Sequence, residues 1–104
     1  MWKVFSEEFL NANRIFPTQQ RDVKKLIDVC KLDSNIKRIV IFGSSVTSLC
    51  NPWSDIDVYL ELENDLRLPR INNPDAIYDK WTNFTVDERL MDEITKTGVV
   101  VYER

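Results

Sequence analysis

Two aspartates one residue apart, Asp55 and Asp57 in "SDIDVYLELE", and a glycine–serine pair, Gly43-Ser44, closing "IKRIVIFG", have the types and spacing for chemistry. On a strand, positions i and i+2 share a face and stand roughly 7 Å apart. Asp55 and Asp57 would then project together while Ile56 and Val58 anchor the strand behind them. Two neighbouring carboxylates repel each other unless a proton or a metal ion relieves them. Oxygen-only ligands suit Mg²⁺, which takes one or two carboxylates and completes its shell with substrate phosphates. A strand that breaks into Gly-Ser offers backbone N–H groups and a hydroxyl to a phosphate, and glycine lets the ligand come close. An acidic solvated face would explain a bare Asp-x-Asp, as it explains Glu61 and Glu63, and a tight turn would explain Gly43 alone. The combination is more specific, because a metal-dependent nucleotide site requires both parts.

These residues need elements to hold them. Residues 36–43 are β-branched and nearly continuously apolar after Arg38, which predicts a strand covered on both faces. Residues 54–63 alternate, with Ile56, Val58, Leu60 and Leu62 on one side and Asp55, Asp57, Tyr59, Glu61 and Glu63 on the other. Between them, "SSVTSLC" has room for one or two helical turns before Asn51-Pro52. Upstream, Val23, Leu26, Ile27 and Cys30 mark one face of a helix that Pro17 and Thr18 introduce. Residues 64–76 carry two prolines and several asparagines and read as a loop, followed by a third strand over 76–81. Thr85 and Glu88 have the spacing of a capping box for a helix that buries Val86, Leu90, Met91 and Ile94. Gly98 suits a left-handed stop to that helix, and "VVVYER" is a final strand. Residues 1–17 fit either a short helix after Ser6 or an arm that packs through Phe5, Phe9 and Phe16. The expected fold is a small α/β (α+β) domain spanning 1–104, with the arm 1–17 unassigned.

Composition narrows the function classes. The chain has 104 residues, a net charge of −3 and no histidine. Without histidine, Ser-His-Asp and Cys-His catalysis are excluded and carboxylates become the main acid–base and metal-binding groups. The acidic balance, with basic residues scattered, argues against direct nucleic-acid binding. Cys30 and Cys50 lack the spacing of a zinc site or disulfide framework. No apolar run reaches membrane-spanning length and the N-terminus lacks a leader's apolar core, so a cytoplasmic location is expected.

Gly43-Ser44 followed by Ser54-Asp55-Ile56-Asp57 resembles the "GS…SDxD" signature of polymerase-β-type nucleotidyltransferases. The ending "LMDEITKTGVVVYER" is similar to their smallest branch, the minimal nucleotidyltransferases (MNT). The resemblance spans roughly residues 20–104 and implies a mixed sheet with helices on one face. It implies that Gly43, Ser44 and Ser54 bind the nucleotide, and that Asp55 and Asp57 bind two Mg²⁺ ions. It further implies a third carboxylate from the adjacent strand that completes the metal site and activates the attacking hydroxyl. Asp79 is the candidate, with Asp75 the alternative. The sequence departs from the family pattern at Ser45-Val46-Thr47-Ser48, where relatives carry a basic, glycine-ending stretch, so positive charge for a triphosphate must come from elsewhere.

Two function classes follow. The first is an enzyme moving a nucleoside monophosphate, AMP from ATP, to an acceptor protein. In many relatives that partner is a helical HEPN toxin and the transferase is its antitoxin; self-association is compatible with this reading. The second is a catalytically weak or inactive fold that acts by binding a partner, for which exposed aromatics among Trp2, Phe5, Trp53, Trp81 and Phe84 would speak.

Overall fold

The alternation at Ile56, Val58, Leu60 and Leu62 builds the centre of the molecule. In the computed structural model, which describes residues 2–4, 8–47 and 54–104, these side chains are all buried in one hydrophobic cluster. They lie on β2 (Ile56–Leu62), which pairs antiparallel with β1 (Ile36–Phe42) and parallel with β3 (Tyr78–Thr82). β1 also pairs antiparallel with β4 (Val99–Glu103), giving a four-stranded mixed sheet in the order β3-β2-β1-β4. This is the α+β architecture expected.

β1 is apolar on both sides because both its faces are covered. Ile39 and Ile41 join the cluster with β2 and with Val23, Leu26, Ile27 and Cys30 of α1 (Gln20–Cys30). Val40 and Phe42 point the other way, into a second cluster with Tyr59, Trp81, Leu90, Met91 and Ile94. The last three come from α2 (Glu88–Thr97), so the helices divide between the faces. A strict one-face arrangement is not adopted. α2 packs on the side of the sheet that also carries Asp57, since Asp57 and Tyr59 share a face. Each fully buried Leu or Ile contributes about 1.5–3 kcal/mol relative to exposure, which makes the α1 cluster the principal source of stability.

Several boundaries differ from the sequence expectation. α1 begins at Gln20 after a 3₁₀ turn over Pro17–Gln19. β3 begins at Tyr78, and the Ile77 carbonyl just before it accepts from the Ile56 N–H at 2.9 Å, the first bond joining β3 to β2. The capping box does not form. Asp87 caps α2, with Oδ1 accepting from the Leu90 N–H at 2.8 Å. Thr85 is already engaged, its Oγ1 accepting from the Thr82 N–H at 2.9 Å. In the N-terminal segment a 3₁₀ turn forms at Ala12–Arg14, Phe9 packs on the core, and the Trp2 and Phe16 rings meet edge-on at 5.3 Å. The expectations for Phe5, Ser6, Ser48, Cys50, Asn51, Pro52 and Trp53 fall outside the described residues.

Gly98 is not left-handed either; its φ of −68° and ψ of 151° are extended. Its small size serves close packing instead. A Cβ there would run into the Ile94 carbonyl oxygen and lie 2.5 Å from Val40 Cγ1. Gly98→Ala should therefore destabilise the fold by about 1–3 kcal/mol, the usual cost of overpacking. Urea denaturation checks it: an unchanged midpoint would mean that α2 and β4 separate freely.

The connection from β2 to β3 contains no helix or strand among its described residues and is pinned by side chains. Asn73, buried, donates through Nδ2 to Asp22 Oδ1 at 2.9 Å and to the Tyr78 hydroxyl at 2.8 Å. The Tyr78 hydroxyl in turn donates to the Asp22 carbonyl at 2.6 Å. Tyr78 is thereby held toward α1. Because a one-residue slip would invert every side chain of the strand, this anchor commits Asp79 to the opposite face.

Candidate active site

Phe42, Asp57 and Asp79 form one row across three strands. Phe42 is the register partner of Asp57 in the antiparallel pair, and Asp57 is the partner of Asp79 in the parallel pair. Neighbouring strands lie roughly 4.8 Å apart, so the two carboxylates stand side by side. Behind them, Tyr59 and Trp81 occupy the same register two residues on, and the Phe42 and Trp81 rings lie 5.6 Å apart. The site is thus the polar rim of the α2-side apolar cluster.

Asp55 precedes β2 and is exposed, whereas Asp57 is half-buried. Asp75 precedes β3 and is not part of the Asp57–Asp79 row. Its N–H donates to Asn73 Oδ1 at 3.1 Å, and it borders a hollow of about 200 Å³ shared with Gln19, Asp22, Ser54 and Asp55. Of the two alternatives for a third carboxylate, Asp79 is the one brought beside Asp57.

Gly43 meets Asp57 directly. It has a φ of 74°, in the left-handed region, and opens a 3₁₀ turn over Gly43–Val46. A Cβ at this position would overlap Asp57 Oδ2 and lie 3.2 Å from Asp57 Cγ. A side chain at this position would therefore collide with the Asp57 carboxylate, a requirement for glycine that the sequence alone does not reveal. Ser44 is half-buried, and its carbonyl accepts from the Thr47 N–H at 3.0 Å. Ser45, fully buried, donates through its hydroxyl to Gln19 Oε1 at 2.5 Å, and Gln19 Nε2 donates to the Ser54 carbonyl at 2.8 Å.

Electrostatics mark Asp57 as the strained member. Burial first, then the charges of Asp79, Asp55 and Glu93, push its carboxyl from the ordinary 3.8 up to about 6. Repulsion of this kind is what a bound cation relieves. Among the described residues no group of three or more carboxylates or thiols closes on one point. The described residues offer the pair Asp57 and Asp79, a set that would suit Mg²⁺ only with substrate oxygens completing the shell. Cys30 is no nucleophile, since burial pushes its thiol up to about 12.

Glu93 and Gln19 were not legible as site neighbours. Glu93 lies on the exposed side of α2, and with Asp87, Arg89 and Leu90 it lines a depression of about 450 Å³, within the size range of ligand sites. Its proximity to Asp57 depends on how α2 docks, for which no local sequence signal exists. Gln19 precedes a helix with nothing to distinguish it from a polar surface residue, yet it is buried.

A four-stranded mixed sheet with a glycine turn against an aspartate, and a second aspartate in register beside it, is the arrangement of a nucleotidyl-transfer fold. Residues 23–102 match the nucleotidyltransferase domain family. The chain belongs to that family. None of the curated proteins matches it.

Proposed function

We propose that the chain is a Mg²⁺-dependent nucleotidyltransferase of the minimal (MNT) branch, moving AMP from ATP to a partner protein, as the antitoxin of a HEPN/MNT pair. The observation that carries this reading is the register of Asp57 with Asp79, with Gly43 packed on Asp57. Asp55, Asp57 and Asp79 would hold the ions, and Gly43, Ser44 and Ser54 would seat the phosphates. When bound, Mg²⁺ supplies charge neutralisation for the attacking and leaving oxygens. The acceptor hydroxyl attacks the α-phosphorus as the bond to the β-phosphate's bridging oxygen breaks, and pyrophosphate leaves. Asp79 takes the hydroxyl proton. The depression beside Glu93 is assigned to the nucleoside, with Arg89 as its basic residue.

The test is thermal melting with each common nucleoside triphosphate, with and without Mg²⁺. Ligand at about 100 times its dissociation constant should add roughly 2.7 kcal/mol. A magnesium-dependent rise with ATP is expected, followed by a one-AMP mass increase on a HEPN partner. No rise with any triphosphate would sink the enzymatic reading.

One observation favours partner binding without catalysis. Ile77 and Phe84, at either end of β3, are 65% and 48% exposed. Under that reading, neutralisation of the partner survives Asp57→Asn; under the enzymatic one it does not.

A further inference from the structure

Gln19 joins two pieces of chain that the site needs together. Its Oε1 accepts from the buried Ser45 hydroxyl at 2.5 Å, and its Nε2 donates to the Ser54 carbonyl at 2.8 Å. Ser45 lies in the glycine turn that abuts Asp57, and Ser54 immediately precedes Asp55. Both ends of the segment linking the glycine turn to the aspartates are thereby tied to one side chain. The same stretch adds a backbone link, the Phe16 N–H donating to the Ser45 carbonyl at 2.8 Å.

We propose that Gln19 is a positioning residue, whose buried carboxamide sets the separation between the phosphate-side turn at Gly43–Ser45 and the carboxylate-bearing segment at Ser54–Asp57. A carboxamide is the side-chain group that presents an acceptor and a donor from one planar unit. A glutamate would keep the bond from Ser45 and lose the one to Ser54, and a methionine of similar length would lose both. With Gln19 only 4% exposed, an unmade bond here cannot be replaced fully by solvent. The brace comes from outside the matched domain, which begins at residue 23. The N-terminal segment is therefore part of the site's construction. In its functional sense this inference rests on the nucleotide-site reading above.

The experiment compares wild type, Gln19→Met, Ser45→Ala and, as a core control away from the brace, Val101→Ala. Without nucleotide, amide hydrogen exchange is read at Phe16, Thr47 and Ile56 against Gly98. Gln19→Met should exchange about tenfold faster at the first three and not at Gly98, the factor expected for a lost hydrogen bond or two. Ser45→Ala should fall between it and wild type at Phe16 and Thr47, and Val101→Ala should show no such selectivity. With Mg²⁺-ATP, Gln19→Met should bind about tenfold more weakly, by the same reasoning, while Val101→Ala binds as wild type. Wild-type exchange at Thr47 and Ile56 in Gln19→Met would overturn the brace. Faster exchange with undiminished nucleotide affinity would overturn its role in positioning the site. Absence of magnesium-dependent binding by wild type would instead refute the nucleotide reading, and the exchange arm would still decide the brace.

Discussion

Asp57→Asn should raise the melting temperature of the unliganded protein at pH 7 while abolishing its response to magnesium and nucleotide. The folded-state carboxyl is raised from the ordinary 3.8 to about 6, by burial and then by Asp79, Asp55 and Glu93. For a group shifted in this direction, the unfolded chain releases its proton first. The associated stability is fully present below pH 3.8 and is lost as the pH rises to about 6. At pH 7 an ionised Asp57 therefore costs stability, and an isosteric neutral amide removes that cost. Asp57 is only half-buried, so solvent screening reduces the effect to about 1 kcal/mol. That corresponds to roughly 4–8 °C for a domain of this size. Melting curves of both proteins at pH 4, 5, 6 and 7 check it, and the gap should open between pH 4 and 6. Equal melting temperatures at pH 7 would mean the carboxylates do not strain one another. The same substitution should lower nucleotidyl transfer by about 10²–10³-fold, the size of losing one electrostatic stabiliser of a reacting centre. A variant more stable and less active would mark the carboxylate cluster as held against its own repulsion for function.

Gly43→Ala should be damaging for two separable reasons. The left-handed φ of 74° costs about 1–2 kcal/mol for a residue with a Cβ. The added methyl would also overlap the Asp57 carboxylate, forcing either the aspartate or the 3₁₀ turn to move. A double-mutant cycle in urea separates the two. In an Asp57→Ala background the carboxylate is gone, so Gly43→Ala should cost only the backbone part. Equal costs in both backgrounds would mean that the turn relaxes away from Asp57. In the Asp57-containing protein, Gly43→Ala should also lose the magnesium-dependent thermal shift, because it displaces a carboxylate of the site.

Local pattern was sufficient for much of this protein. The period-2 alternation of β2, the two-sided apolar run of β1 and the helical spacing of Val23, Leu26, Ile27 and Cys30 each encode which face is buried, and each element formed. The same alternation placed Asp57 opposite the residues that anchor its strand, since side-chain direction on a strand follows from position alone. Caps were less legible. Thr85 and Glu88 had the right spacing, yet Asp87 caps α2 because Thr85 was claimed by the turn after β3. Gly98, fit for a left-handed stop, answers instead to crowding by Val40 from another strand.

What only the tertiary structure decided is which distant groups meet. Asp79 stands beside Asp57 because Asn73 and Tyr78 fasten the β2–β3 connection to Asp22 of α1 and so select the strand's register. Glu93 reaches the cluster because α2 docks on the aspartate-bearing face, and Gln19 joins Ser45 to Ser54 because the N-terminal segment folds under the turn. Periodicity fixes the direction of a side chain within its own element. It carries no information on the rigid-body placement of one element against another, which is set by the sum of many weak contacts spread across the chain.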